Sequence, residues 1–248
     1  MESSFVSVPS RFADRILQLL ERVEHRIAKS AAEREAVFHL RYEAYLRNGL
    51  LTPRADKRLY DERYDDAPNA RIVMTFIDGE LAGTTRINVS AALDSPLPAM
   101  GVYPNVIAPH LRMGRTLVEM TRLAGSPDLT SFAAELPYVT VRPGFMAAGH
   151  FRADFAIATP RAEHMAFYRR VFGFAPWCEP RDYPGLTAKF ACMAVDYRAG
   201  HKRVTARYPF FQSTVAECEA LFGPLDGGAE ADPFDGRDRR GFKAALLA

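Results

Sequence analysis

The chain has few of the residues from which stapled scaffolds and metal sites are built. Among its 248 residues are only three cysteines, Cys178, Cys192 and Cys218, widely spaced and without a C-x-x-C pair. An odd set of this kind supplies neither a disulfide framework nor a zinc site, and all three are expected to be buried, inert thiols. The six histidines are scattered, with no H-x-x-x-H or H-E-x-x-H spacing to gather two on one helical face, so no metal is expected. An excess of one charge is lacking too. Thirty-two Lys plus Arg oppose thirty Asp plus Glu, and the net +2 falls far short of a dedicated nucleic-acid binder. Any basic partner surface must then be local. No run approaches the roughly 18 apolar residues of a membrane span, and the opening MESSFVSVPSRFADR lacks the basic-then-apolar order of a signal peptide. A cytoplasmic location is the expectation.

What the chain does have is 48% hydrophobic residues, enough for one large domain or two small ones. Ser10 followed by Phe12, Ile16, Leu19, Leu20 and Val23 predicts an N-capped amphipathic helix. Residues 23–30 have weak strand character, and Ser30 with Glu33 forms a capping box that opens a second helix, striped by Val37, Leu40 and Ala44 and stopped at Asn48-Gly49. Residues 50–69 read as a long polar loop. A hairpin comes next, turning at Asp78-Gly79. Four prolines break up the next stretch before a strand at 116–124. Residues 129–151 read as helical in parts, 153–160 as a strand, 161–174 as a helix and 186–197 as a strand. Thr214 and Glu217 box a last helix, and residues 223–248, rich in Gly, Asp and Arg, read as a mobile tail. This order predicts a mixed α/β (α+β) fold around one central sheet, as a single domain over 1–222.

Several motifs in this order carry a resemblance. TLVEMTRLAG, ADFAIATP and HMAFYRRVFGF resemble the second half of the GNAT acyltransferase superfamily. VFHLRYEAYLRNGLL, YDERYDD, GTTRI, EMTRLA and FYRRVFGF with the YPGL after it are similar to the long-chain N-acyl amino acid synthases of the FeeM type and, more distantly, to the acyl-homoserine lactone synthases. The resemblance spans residues 23–197 and implies a GNAT-like fold that moves a medium or long fatty acyl group onto the α-amino group of an amino acid. GNAT proteins that bind coenzyme A carry a Gly-rich R-x-x-G-x-G/A turn, whose N–H groups cradle a pyrophosphate. Here the corresponding residues read AGSPDLTS, which favours acyl carrier protein as donor and partner. No cofactor is implied beyond the acyl-phosphopantetheine thioester as co-substrate.

Aminolysis of a thioester needs a base for the ammonium proton, donors for the oxyanion and an acid for the leaving thiolate. The resemblance implies Glu119 as base, backbone groups near Leu123 and Ala124 at a strand bulge as oxyanion donors, and Tyr168 as acid. The competing expectations are a Glu119 ion-paired to Arg86 or Arg122 and a Tyr168 that merely fills the core. Arg41, Glu62, Asp65, Arg86 and Arg122 match the polar cluster of the synthases. An internal salt-bridge network explains them without function, while Arg86 or Arg122 is equally suited to fork an amino acid carboxylate. Glu62 replaces the lactone synthases' usual Asp, and Tyr45 their Phe. Arg161, Arg169, Arg170, Lys202 and Arg203 form a candidate docking face for an acidic carrier protein, with solvated helix faces as the plain alternative. A lactone synthase using S-adenosylmethionine and a non-catalytic lipid-binding or carrier-binding module are the rival functions.

Overall fold

In the computed structural model, which describes residues 11–224, the chain winds around one seven-stranded sheet. The elements are α1 (Arg11–Leu20), β1 (Val23–Ile27), α2 (Ala31–Arg47), α3 (Glu62–Asp65), β2 (Ala70–Ile77), β3 (Glu80–Ser90), α4 (Pro98–Val102), α5 (Pro104–Arg112) and β4 (Leu117–Gly125). Then come α6 (Leu136–His150), β5 (Phe155–Ala158), α7 (Ala162–Phe172), β6 (Ala175–Asp182), β7 (Lys189–Asp196), α8 (Tyr197–Arg207) and α9 (Val215–Phe222). The strand order is β1-β2-β3-β4-β5-β7-β6. Only β4 and β5 run parallel; every other pair is antiparallel.

Local chemistry accounts for the best-defined boundaries. Ser30 and Glu33 exchange side-chain and backbone hydrogen bonds at the start of α2, and Thr214 with Glu217 does the same at α9. Asp78 and Gly79 both adopt positive φ, 52° and 82°, the backbone of a two-residue hairpin whose twist matches its strands. The Ser10 cap and most of the expected tail lie outside the described residues.

Several elements depart from the sequence expectations, among them the short helix α3 inside the segment read as a loop. Prolines open α4 and α5 instead of breaking the stretch, because the first helical turn has no use for the proline's missing N–H. β6 is a strand despite Pro176 and Pro180: it is an edge strand with register shifts on both sides of Cys178, where unpaired backbone tolerates proline. Residues 197–207, read only as a basic cluster, form α8, with Asp196 accepting from the Ala199 N–H as its cap. Cys178 is half-buried, against the expectation of three buried thiols; Cys192 and Cys218 are buried.

Strand alternation sorts the core into two layers. Val37 and Phe38 of α2 pack on Ile72, Met74 and Phe76. On the opposite face Val73, Ile87 and Val118 meet Met146, Ala147 and Ala148 of α6. A buried arginine ties the C-terminal elements to this second layer. Arg142, in the middle of α6, donates from Nε to the Phe210 carbonyl at 2.9 Å and from Nη2 to the Gln212 carbonyl at 2.7 Å, and meets Glu217 at 3.0 Å. Arg142→Met keeps the volume and loses these bonds. It is expected to destabilise the protein by about 2 kcal/mol or more, read in denaturant melts, with α9 amides losing hydrogen-exchange protection first.

Candidate active site

The polar face of the central strands is organised by one carboxylate. Asp65 of α3 is 3% exposed, and its Oδ1 meets Arg41 Nη1 at 2.8 Å and Arg86 Nη1 at 3.3 Å. Its Oδ2 accepts from the Asp61 N–H at 2.9 Å. Burial pushes the Asp65 carboxyl up, but Arg41 and Arg86 more than offset this and hold it below the ordinary range. Burial lowers Arg41 to about 10, against the pull of Asp65, so it stays charged at neutral pH. Arg86 Nε also donates to Thr121 Oγ1 at 3.1 Å. The third cation-bearing position, Arg122, is a positive-φ residue, 8% exposed, whose carboxylate neighbour is Asp61 at 3.9 Å. Three guanidiniums, those of Arg41, Arg86 and Arg122, thus face Asp65 and the half-buried Asp61. Glu62, expected in this cluster, is exposed and takes no part: in one turn of helix Asp65 points inward, and the preceding Asp61 fills the place assigned to Glu62.

A cleft opens beside this cluster because β4 parts from β5. Pairing with β5 ends at Met120 opposite Ala158, so residues 121–125 have no strand on that side. Against β3, Thr121 pairs with Arg86 and Ala124 with Thr84, which leaves Arg122 and Leu123 together opposite Thr85. This is a β-bulge, and the left-handed backbone of Arg122 (φ 54°) is its cause. The resulting cleft has a volume of about 460 Å³. Leu123 and Ala124 line it, with Tyr45, Arg86, Thr121, Arg122, Tyr168 and Tyr183.

Glu119, expected as the base, is not among the residues that line the cleft. It is fully buried and is not ion-paired to either Arg86 or Arg122. Its Oε2 accepts from the Ala99 N–H at 2.8 Å, while Oε1 has no hydrogen-bond partner. Burial raises the carboxyl from 4.5 to about 7, against the lowering influence of that hydrogen bond and of Arg86 and Arg122. Tyr168 is buried, 7% exposed, among Phe167, Phe172 and Phe174, yet it also lines the cleft. Burial, and secondarily Tyr45, raises its hydroxyl, which stays protonated.

The expected docking face divides in two. Arg161 stands at the start of α7, where it lines the cleft and pairs with Glu163 at 2.8 Å. Arg169 and Arg170 lie about 12 Å further along the helix, exposed, near the Arg203 guanidinium that rests on Gly173; Lys202 is exposed beside it on α8. Sequence reasoning did not single out Asp61, Tyr183 or Ala99. The first two sit inside the motifs YDERYDD and YPGL, whereas the Ala99 contribution is a backbone N–H that any residue but proline supplies.

The charges lead to two expected outcomes. Asp65→Asn leaves Arg41 and Arg86 buried without their counter-ion and is expected to cost about 3–5 kcal/mol of stability, measured by chemical denaturation. Glu119 binds its proton more tightly in the fold, at about 7, than at its ordinary 4.5. Its contribution to stability is therefore complete below about 4.5 and lost as pH rises through about 7. Melts from pH 4 to 9 are expected to show this decline in the wild type and not in Glu119→Gln.

The fold recurs in solved structures. FeeM, an N-acyl amino acid synthase from uncultured soil microbes, aligns with TM-score 0.59 and 20% identity, covering 74% of this chain and 97% of its own. The AHL synthase LasI aligns with TM-score 0.52 and 13% identity over 75% of this chain and 95% of its own. BjaI, a CoA-dependent acyl-homoserine lactone synthase, aligns with TM-score 0.50 and 15% identity over 77% and 89%. No curated protein sequence matches the chain. The family described as N-acyl amino acid synthase FeeM matches residues 36–196, which hold the charged cluster, the bulged strand and the cleft: the chain belongs to this family of acyltransferases.

Proposed function

We propose that the protein transfers a fatty acyl group from acyl carrier protein to the α-amino group of an amino acid. The observation that carries this reading is the Glu119 carboxyl, buried, poised near neutrality, left with one unpartnered oxygen and within the electrostatic influence of Arg86 and Arg122. A carboxylate of this kind is suited to take the proton of the acceptor ammonium through an intervening water. The acceptor's own carboxylate supplies the anion that Arg86 and Arg122 attract, since two acidic groups face three guanidiniums here.

The freed amine then attacks the thioester carbonyl carbon. Backbone N–H groups at the Leu123–Ala124 bulge, where β4 has no partner on one side, are the proposed oxyanion donors. Collapse of the tetrahedral intermediate breaks the C–S bond; Tyr168 protonates the departing pantetheine thiolate and regains a proton from the nitrogen as it becomes the amide. The acid must hold its proton until that moment, as a buried tyrosine does.

The segment between β4 and α6 supports the carrier protein as donor. Residues 126–135 intervene before α6, and Pro137 removes one of the first-turn N–H groups that a pyrophosphate would use. Exposed Arg169, Arg170, Lys202 and Arg203 offer positive charge to an acidic carrier surface. The test is incubation with acyl carrier protein thioesters or acyl-CoA and an amino acid mixture, with products identified by mass spectrometry. N-acyl amino acids formed from the carrier thioester are the expected result; methylthioadenosine released from S-adenosylmethionine would mark lactone synthesis instead, and no product from any pairing would sink the proposal. In the wild type kcat/KM is expected to rise with pH as Glu119 ionises around 7. Glu119→Gln should abolish that limb and lower the rate about 100-fold or more.

A further inference from the structure

The last two strands of the sheet carry a pair of thiols that acyl transfer does not use. Cys178 of β6 stands directly opposite Cys192 of β7. Opposite residues of antiparallel strands share a face and have Cα atoms about 4.5–5.5 Å apart, within the roughly 4.4–6.8 Å that a disulfide spans. The two thiols are hydrogen-bonding neighbours and belong to one apolar cluster with Ile157 and Ala194. Cys218 lies in a different cluster, with Phe151 and Phe222. Cys192 is buried, whereas Cys178 is half-buried. Pro176 pairs with Met193 and Arg181 with Phe190, so β6 holds an extra residue on each side of Cys178. The cysteines are thus the single paired position between two bulges of an edge strand. Beyond β6 come residues 183–188, of which Tyr183 and Leu186 line the cleft. The pair also shares the sheet face of Glu119: Glu119 is opposite Ile157, Ile157 is opposite Ala194, and Cys192 is two residues from Ala194 along β7.

We propose that Cys178 and Cys192 form a reversible disulfide that fixes the turn 183–188 in the wall of the cleft. The half-buried Cys178 meets the oxidant, a peroxide, first. Its thiolate attacks one oxygen of hydrogen peroxide, the O–O bond breaks, and the products are the sulfenic acid and, after protonation of the leaving hydroxide, water. Burial, and secondarily Glu119, keeps Cys192 protonated, which suits it to the second step. Its sulfur attacks the sulfenic sulfur, the S–S bond forms, the S–O bond breaks, and the departing hydroxide takes the thiol proton as a second water. The two sulfurs together lose two electrons to one peroxide, and a dithiol restores both thiols by exchange. The bond closes a ring of about 15 residues that contains one bulge and the whole turn. The Leu186 N–H to Tyr183 carbonyl bond, at 3.1 Å, and the Thr187 N–H to Leu50 carbonyl bond, at 3.2 Å, lie inside that ring or tie it to the fold. This modification stands whether or not the protein is an amino acid acyltransferase.

The experiment treats the folded full chain with hydrogen peroxide, alkylates the remaining thiols in denaturant and maps unreduced peptides by mass spectrometry. The expected result is the Cys178 peptide joined to the Cys192 peptide within one chain, Cys218 alkylated, and the link undone by dithiothreitol. Hydrogen exchange at the Leu186 and Thr187 amides is expected to slow about tenfold in the oxidised protein. Cys178→Ser, treated alike, should show neither change; it changes only the half-buried position and serves as the control if Cys192→Ser does not fold. Three thiols that all survive peroxide, or Cys178 oxidised to the sulfinic acid or joined to a second chain while Cys192 stays alkylatable, overturn the pair. A linked pair with unchanged exchange at both amides overturns the fixing of the turn.

Discussion

The sharing of Asp65 between Arg41 and Arg86 is the constraint around which the functional face is arranged. Each ion is inaccessible to water, and none could be buried alone. The contact joins α2, the short helix α3 and the centre of the sheet, three segments that local propensity does not bring together. It also leaves Arg41 Nε and Nη2 without hydrogen-bond partners. Full satisfaction is therefore not what the cluster achieves. It maintains positive potential under a cleft where an anionic reactant is expected, at a cost in stability that the surrounding apolar layers must carry.

Neutrality of the whole chain and polarisation of the site are compatible because charge is segregated by depth. Exposed pairs such as Arg58 with Glu35 lie in water, where they contribute little. Arg41, Asp65, Arg86 and Glu119 lie in the interior, where every charge shifts its neighbours. Burial alone favours a neutral Glu119, and only the Ala99 N–H and two guanidiniums restrain the rise. The same low-dielectric setting keeps the Tyr168 hydroxyl protonated.

Periodicity and capping residues made most of the fold legible. The two capping boxes, the Asp-Gly hairpin and the helix ended by Gly173 are local devices whose chemistry is complete within a few residues. β6 was not legible because its prolines are acceptable only at an edge, and edge position is a property of the assembled sheet. α8 was hidden by a surface rich in Arg and Lys, with Val204 among its few buried residues. At the site, residue types announced the cluster but not its pairing. Glu62 and Asp65 looked equivalent in the sequence; which of them enters the core is decided by the orientation of a single helical turn.

The bulge in β4 has a further consequence for how the chain can vary. Thr121 and Ala124 face the same side of the sheet although two residues separate them, because Arg122 and Leu123 together occupy one position opposite β3. Odd-numbered positions face α2 before the bulge and even-numbered ones after it. The strand thus counts in two parities, with the cleft at the change. Loss of one residue there would restore regular pairing and leave Ala124 opposite Thr84, but it would abolish the bulge and with it the irregular backbone that lines the cleft. Length across residues 121–124 is consequently more tightly fixed than identity, and sequences of this fold can be expected to differ in side chains at this point long before they differ in spacing.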